Sequence, residues 1–347
     1  DWMIIMSVKK TTIKDVAKKS GFSPTTVSRV LNENYPVKAE TREKILEAVH
    51  DLKFNRNTTA RNLRLKKSGL MALVVADINN TYYSRIAKRV GDGLFDEGYN
   101  LLVCNTNEIV EKENKILSML ANKGVDVIAV ASSTTDPSFI ENLVDLGGKI
   151  VLLDRDMNIE GVPFVGSDNF ESSKRLTEYV LQKGHTRVAF VSGPENVVTS
   201  QDRMRGYQAA LLENGLELNE YNIVSGQFKK EEAFNAIKKF LLSNRESSDP
   251  YTAIVSSNNV MTAGVIAAVN SIGLEIPGDI SLVSFGSLDM QEIISPQVTC
   301  IDQNEAELAK TTLETMLKLS KEEHSEHVES TIIKDSFIEG SSVANLQ

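Results

Sequence analysis

The chain has few cysteines, few aromatic residues and no long apolar run, and each shortage removes a class of protein. Two cysteines in 347 residues, Cys104 and Cys300, are too few for a disulfide framework. Each sits in or beside an apolar, strand-like segment, as reduced thiols of a cytoplasmic protein do. The longest apolar stretch, residues 70–76, has seven members, against the roughly 20 needed to cross a bilayer as a helix. No membrane partner is expected. Residues 1–6 open on an acid and carry too short an apolar stretch for a secretory leader, so export is not expected and residues 1–10 read as a disordered start. The four histidines show no metal-ligand spacing. His324 and His327 fall in the charged run 321–329, which reads as a solvated loop, and His185 behind Gly184 reads as a cap. Without a phosphate-binding glycine loop or a nucleophile motif, neither catalysis, a metal nor a cofactor is expected.

What remains is an ordinary globular mixture, 41% hydrophobic and 24% charged, with length for about two or three domains at roughly 150 residues each. The net charge of −9 argues against nucleic acid when taken whole, but it is unevenly divided. Residues 7–67 hold 15 Lys and Arg against 6 Asp and Glu, whereas the rest holds 23 against 41. A small basic module is joined to a large acidic body.

In the basic module, Thr12-Ile13-Lys14-Asp15 has the S/T-x-x-D/E form of a helix start, with the Thr12 hydroxyl offered to a backbone N–H three residues on. Ile13, Val16 and Ala17 recur at helical spacing until Gly21. Ser23-Pro24 restarts the pattern, Ser23 as N-cap and Pro24 at the first helical position, and the second helix runs to about Asn32. Val27, Val30 and Leu31 share one face; Thr25, Ser28, Arg29 and Asn32 share the other. Two short helices about a glycine turn form a helix-turn-helix, whose second helix enters the DNA major groove. Arg29 suits guanine O6 and N7. A third segment, 39–52, offers Ile45, Val49 and Leu52 to close a three-helix core. A helical cap with a solvated polar face fits the same pattern. The basic stretch 57–67 follows, too short for a stable lone helix. Leu63 between Arg61 and Arg64 has the composition of a minor-groove wedge, and equally of a charged linker.

These residues, 12–17, 26–32 and Ala60-Arg61-Asn62-Leu63, resemble the LacI/GalR family of bacterial transcriptional regulators, and the likeness runs from about Thr11 to Gly340. The resemblance implies a paired DNA-reading headpiece, a hinge helix that inserts its leucine into the minor groove, and a sugar-binding-protein-like body that dimerises and binds an effector. The DNA contacts it implies are Thr12, Ser23, Pro24, Thr25, Thr26, Ser28, Arg29, Asn32, Asn57, Ala60, Arg61 and Leu63. One departure is Arg56 where the family has proline before the hinge asparagine, which weakens the helix start.

The acidic body alternates apolar runs with amphipathic segments. Strands are expected at 70–76, 101–104, 125–131, 149–153, 187–192, 253–256 and 280–285, with helices between most of them. This alternation predicts an α/β body with parallel sheets, two series of units meeting near Asp168, and a ligand cleft beyond the carboxyl ends of the strands. The expected division is a helix-turn-helix domain over 11–55, a hinge over 56–68 and an effector and dimerisation domain over 69–340. Its first lobe would take about 69–168 and 300–326, its second about 169–299 and 327–340. Effector contacts are expected from Tyr82, Asp154, Thr199, Arg203, Phe228, Asn258 and Asp289. Arg203 matches the family's Arg-x-x-Gly-aromatic motif, whose arginine touches the effector.

Where the family commonly reads Asn-Asp and Phe-Asp, this chain reads Asn258-Asn259 and Phe285-Gly286. Two carboxylates are therefore expected to be missing, which favours an acidic sugar on Arg203 over a neutral one; the alternative is that Asp289 replaces the missing carboxylate from one turn away. The function that emerges is a cytoplasmic repressor, binding a palindromic DNA operator as a homodimer and switched by a small sugar, sugar acid or sugar phosphate. Its rivals are the same reader governed by a protein corepressor, and a sugar-binding protein with an incidental basic cap.

Overall fold

The computed structural model describes residues 11–32, 35–54, 68–321 and 328–347, and the chain divides after Lys66 into two compact units. The first unit holds α1 (Ile13–Ser20), α2 (Pro24–Asn32) and α3 (Ala39–Asp51). At the start of α1 the Asp15 carboxylate accepts from both the Thr12 N–H (2.8 Å) and the Thr12 hydroxyl (2.6 Å). The helix start is thus the expected capping box, the Thr12 side chain serving the Asp15 N–H while the Asp15 carboxylate serves the Thr12 N–H. Gly21 ends the helix in the left-handed region, its N–H on the Ala17 carbonyl. Ser23 opens α2 as expected, its hydroxyl accepting the Thr26 N–H at 3.1 Å. Val16, Ala17, Val27, Val30, Ile45 and Ala48 are buried together, and Leu31, Val49 and Leu52 pack on that cluster. So few buried side chains leave a three-helix unit marginal, since small domains bury a small share of their surface.

The second unit carries two six-stranded sheets. The first sheet contains β1 (Leu70–Val75), β2 (Asn100–Asn105), β3 (Val127–Val130), β4 (Ile150–Leu153), β5 (Phe164–Ser167) and β11 (Thr331–Ile333). Its order is β11-β5-β4-β3-β1-β2, and every pairing is parallel. The second contains β6 (Val188–Ser192), β7 (Ile223–Ser225), β8 (Ala253–Ser256), β9 (Ser281–Phe285), β10 (Thr299–Asp302) and β12 (Ser336–Ile338), in the order β12-β10-β9-β8-β6-β7. Only β12 runs antiparallel. Fully buried strands such as β1, β3 and β4 read as unbroken apolar runs because helices cover both faces.

All seven expected strands are present, each within two residues of its expected ends. Among the described residues the chain passes between lobes three times: at Asp168, at Gln303-Asn304 and at Lys334-Asp335. Two expected boundaries are corrected. Thr299–Asp302 stays with the second sheet, so the return expected at 300 falls at 303–304; Thr331–Ile333 belongs to the first sheet, so the crossing expected at 327 falls at 334–335. Strands of three or four residues with polar members carry too few positions for a periodicity to show.

Residues beyond 340 also pack on the second lobe. Buried His185 holds them through Nδ1 on the Thr252 hydroxyl (2.8 Å) and Nε2 on the Ala344 carbonyl (3.1 Å), the carbonyl contact placing a proton on Nε2. Burial lowers the imidazole pKa, with the Ala344 carbonyl pulling the other way. The unfolded chain therefore binds this proton more readily, so the stabilisation is complete above the ordinary value of 6.5 and is lost as pH falls through the lower folded value. Amide exchange in residues 342–347 should speed up on that acidification, and His185→Gln should remove the dependence.

Candidate functional site: a reading helix and an interlobe cleft

Within the first unit, α2 turns Val27 and Val30 inward and leaves Thr25 and Arg29 exposed, with Thr26 and Ser28 half-buried. Two of the expected contacts already serve the helix: the Ser23 hydroxyl caps it and lies 2.9 Å from that of Thr26. Pro24 occupies the first helical position. The Arg29 guanidinium sits 5.1 Å over the ring of exposed Tyr35, which holds the long side chain out from the helix. Asn57, Ala60, Arg61 and Leu63 lie outside the described residues, as does the Asn32 side chain. Arg29→Ala should cost about 1–3 kcal/mol of discrimination at one base pair, measured by competition among single-substitution operators.

In the second unit the carboxyl ends of β1, β4, β6, β8 and β9 face a cavity of about 450 Å³. Tyr82, Asp154, Thr199, Arg203, Phe228 and Asn258 all line it, as the sequence predicts. Asp154 follows β4 in the left-handed region at φ +64°, a conformation costing a non-glycine residue about 1–2 kcal/mol. Its carboxylate is buried and accepts from both neighbouring phenols, Tyr82 at 2.9 Å and Tyr83 at 2.8 Å. Burial first, and then the Asp154 charge, push both phenol pKa values well up, although the Arg155 charge opposes this at Tyr83. Both therefore remain hydrogen-bond donors.

The two buried arginines differ. Arg155 forks onto Glu108 (2.8 and 2.6 Å) and donates to the Ser132 carbonyl (2.6 Å). Burial works against its charge, but Tyr83 and Glu108 outweigh it and its pKa lies above the usual value. Arg203 has no ion pair among the described residues. Its Nε donates to Asn169 Oδ1 (2.8 Å), its Nη1 to the Ser257 carbonyl (2.7 Å), and its guanidinium lies 3.7 Å over the Phe285 ring. Burial lowers its pKa and Asp154 partly restores it. Its Nη2 has no hydrogen-bond partner among the described residues. A guanidinium fixed by two neutral acceptors, with donor capacity to spare, suits an oxygen ligand.

Asp289 is not in this cavity. Gly286, at φ +87°, turns the loop after β9 away, and the Asp289 carboxylate closes instead on Arg85 Nη2 at 2.7 Å. That ion pair links the lobes at the rim, as do Asn196 to the Ser133 carbonyl (3.0 Å) and Asn259 to Asn80 Oδ1 (3.3 Å). Positions 259 and 286 carry no carboxylate, as the sequence shows, but Glu108, Asp302 and Glu305 line the cavity beside Asp154. Glu108 follows β2 and was legible by the strand-end rule that found Asp154. Asp302 and Glu305 stand at the second crossing, behind a strand too short to see. Asp302 accepts from Ser287 (2.7 Å), and burial raises the Glu305 pKa against the opposing pull of Arg85. No His, Cys, Asp and Glu group among the described residues could hold a metal, and no described helix is long and apolar enough to cross a membrane.

Residues 12–57 match the family described as bacterial regulatory proteins, lacI family. Residues 68–340 match that of periplasmic binding proteins and the sugar binding domain of the LacI family. The chain belongs to the LacI family. A LacI-family member is a DNA-binding transcription repressor with a sugar-like effector, and not an enzyme. Among its relatives, the ribose operon repressor of Halalkalibacterium halodurans is 32% identical over 308 residues, 89% of this chain and 90% of that one. The transcriptional repressor PurR of Histophilus somni is 30% identical over 319 residues, 91% and 94% of the two. The lac repressor dimer bound to operator and an anti-inducer shares the fold, with a TM-score of 0.82 at 22% identity over 97% of this chain and 100% of that one.

Proposed function

We propose that this LacI-family repressor holds an approximately palindromic operator as a homodimer in the cytoplasm, and that a small polyhydroxyl ligand in the interlobe cavity sets its affinity for DNA. The observation that carries the ligand reading is Arg203: buried, without a carboxylate partner among the described residues, and lining a cavity rich in phenol, carboxylate and carboxamide side chains. Planar polar groups of this kind suit hydroxyl pairs, and Phe228 supplies an aromatic face. The carboxylates of Glu108, Asp154, Asp302 and Glu305 favour a neutral ligand. A sugar acid or phosphate is the second reading, favoured by the spare Nη2 of Arg203 and by Lys229 at the cavity wall.

Pairing supports the first part of the proposal. Two copies of α2 can reach half-sites about one helical turn apart only when their bodies associate. The first lobe offers an edge strand, β2, with Val103 exposed, and nearby helices expose Phe95 and Met119. Because the chain crosses between lobes three times, a ligand that prefers one lobe arrangement biases the whole second unit, and affinity changes by that difference in binding energy.

Calorimetric titration of glucose against gluconate and of ribose against ribose 5-phosphate tests the ligand class. The neutral member of a pair is expected to bind the more tightly; tighter binding of the acid selects the second reading. Operator binding that needs a protein partner and ignores every small molecule would overturn the proposal. For the hinge, Leu63→Ala should weaken operator binding at least tenfold, the loss of one apolar wedge of about 1.4 kcal/mol or more, with ligand affinity unchanged. Unaltered operator affinity would remove the wedge.

A further inference from the structure

A second cavity of about 410 Å³ adjoins the cleft, and Asn79, Asn80, Asn259 and Val260 line both. Its remaining wall is largely apolar: Ala263 and Ile266 on the helix Asn259–Ser271, with Leu288 and Ile294 from the loop after β9. Lys230 and Asp289 stand in the same wall, Asp289 held by Arg85. Between the two cavities lies one weak hydrogen bond, Asn259 Nδ2 to Asn80 Oδ1 at 3.3 Å. Both residues have another duty at a helix start: Asn80 Oδ1 accepts the Tyr82 N–H and Asn259 Oδ1 the Val260 N–H. Across from Asn259 stands Gly286, where an added β-carbon would lie 3.5 Å from the Asn259 β-carbon. A side chain at 286 would project from the cleft side against this partition, and glycine leaves that space open. The two positions at which this chain departs from its family's acidic pattern, Asn259 and Gly286, thus meet at the boundary between a polar cavity and an apolar one.

We propose that the effector is bipartite, with a polyhydroxyl head in the cleft and an uncharged, ring-sized apolar substituent passing the Asn80–Asn259 boundary into the second cavity. The proposal rests on the cleft being the ligand site and deepens it from a bare sugar to a glycoside-like compound. Continuity with that cleft names the occupant: an apolar space opening on a site for hydroxyl groups is reached by the far end of the molecule the hydroxyls belong to. Size permits it, since a cavity of about 150 Å³ suffices for benzene. An apolar group there releases water from four aliphatic side chains while the head keeps its hydrogen bonds, so affinity rises without a new polar contact.

The test uses the full-length chain with methyl-labelled Ala, Ile and Leu, and 4-nitrophenol as an isolated ring probe. Saturable shifts of the Ala263, Ile266 and Leu288 methyls in the millimolar range are expected, and they should vanish in Ala263→Phe, which fills the space from a half-exposed position. Ile294→Gln, at the opposite wall, should weaken the probe at least fivefold and serves if Ala263→Phe does not fold. No saturable shift at these methyls, shifts confined to exposed Ile293, or shifts unchanged in both variants would overturn the inference. Because the probe reports on the second cavity alone, this failure is distinct from failure of the sugar titrations, which would remove the cleft reading itself.

Discussion

Arg203→Ala is expected to weaken binding of the cleft ligand about a hundredfold, on the order of 3 kcal/mol, the range for a charged hydrogen-bond donor removed from a desolvated site. The loss has two sources. The ligand oxygen that met Nη2 loses a charge-assisted bond, and the Asn169 carboxamide and Ser257 carbonyl that oriented the guanidinium are left without their donor. Arg203→Lys should recover little, because an ammonium has no planar fork to satisfy Asn169, Ser257 and a ligand from above the Phe285 ring. Operator affinity without ligand should change less than about threefold, since the substitution lies in the second unit and removes no phosphate contact. Calorimetry with whichever sugar of the panel binds, together with operator titration, reads both quantities. Full ligand affinity in Arg203→Ala would place the ligand elsewhere.

Val27→Asp should abolish operator binding, lowering affinity by at least about a thousandfold, while sparing ligand binding. Val27 is completely buried in a cluster of six small or medium apolar residues, and an unpaired carboxylate there costs several kcal/mol unless it takes up a proton or the helices separate. A three-helix unit of this size has little stability to lose. The milder Val27→Ala deletes two methyl groups and should cost about 1–3 kcal/mol by transfer and cavity terms, leaving weakened binding recoverable at low temperature. The body divides from the headpiece after Lys66 and keeps its own cores, so its circular dichroism and ligand affinity should match those of the parent. A simultaneous loss of ligand binding would show that the two units are not independently stable.

The residues that could be placed in advance share one physical property: their position follows from local rules. Ser23, Pro24 and Gly21 act at helix ends, where capping depends on the nearest few residues. Long apolar strands announce themselves, and Tyr82, Asp154 and Asn258 follow because the groups just past such strands face the crevice. What escaped depended on distant pairing. Strands β5, β7, β10, β11 and β12 are three or four residues long and exist because a neighbour supplies their hydrogen bonds. Asp302, Gln303 and Glu305 reach the cleft only because the second crossing brings them there, so the carboxylate count of the site was not visible in a list of strand ends. Asp289 was misplaced for the same reason: its partner Arg85 is 204 positions away.

Legibility was lower still for the interlobe connections. The first crossing supplies Asn169, which orients Arg203 and donates from Nδ2 to the Ser167 carbonyl (3.2 Å). The third supplies Asp335, whose carboxylate accepts from Ser167 (2.6 Å) and Ser172 (2.8 Å). Burial raises the Asp335 pKa while those hydroxyls and the Arg203 charge oppose it. Arg203 is thus joined through buried hydrogen bonds to two of the three crossings, the route by which the proposed ligand would couple cavity and crossing geometry.

The measurement that tests the account most directly is the salt dependence of full-length binding to a palindromic duplex recovered by genomic footprinting, with a shuffled duplex as competitor, in the presence and absence of the cleft ligand. For a dimer of basic headpieces making about 6–10 phosphate contacts, log affinity should fall against log salt with a slope of about −5 to −9, and ligand should shift the whole line at constant slope. Specific binding that is indifferent to salt, or no preference over competitor at low ionic strength with or without ligand, would contradict it.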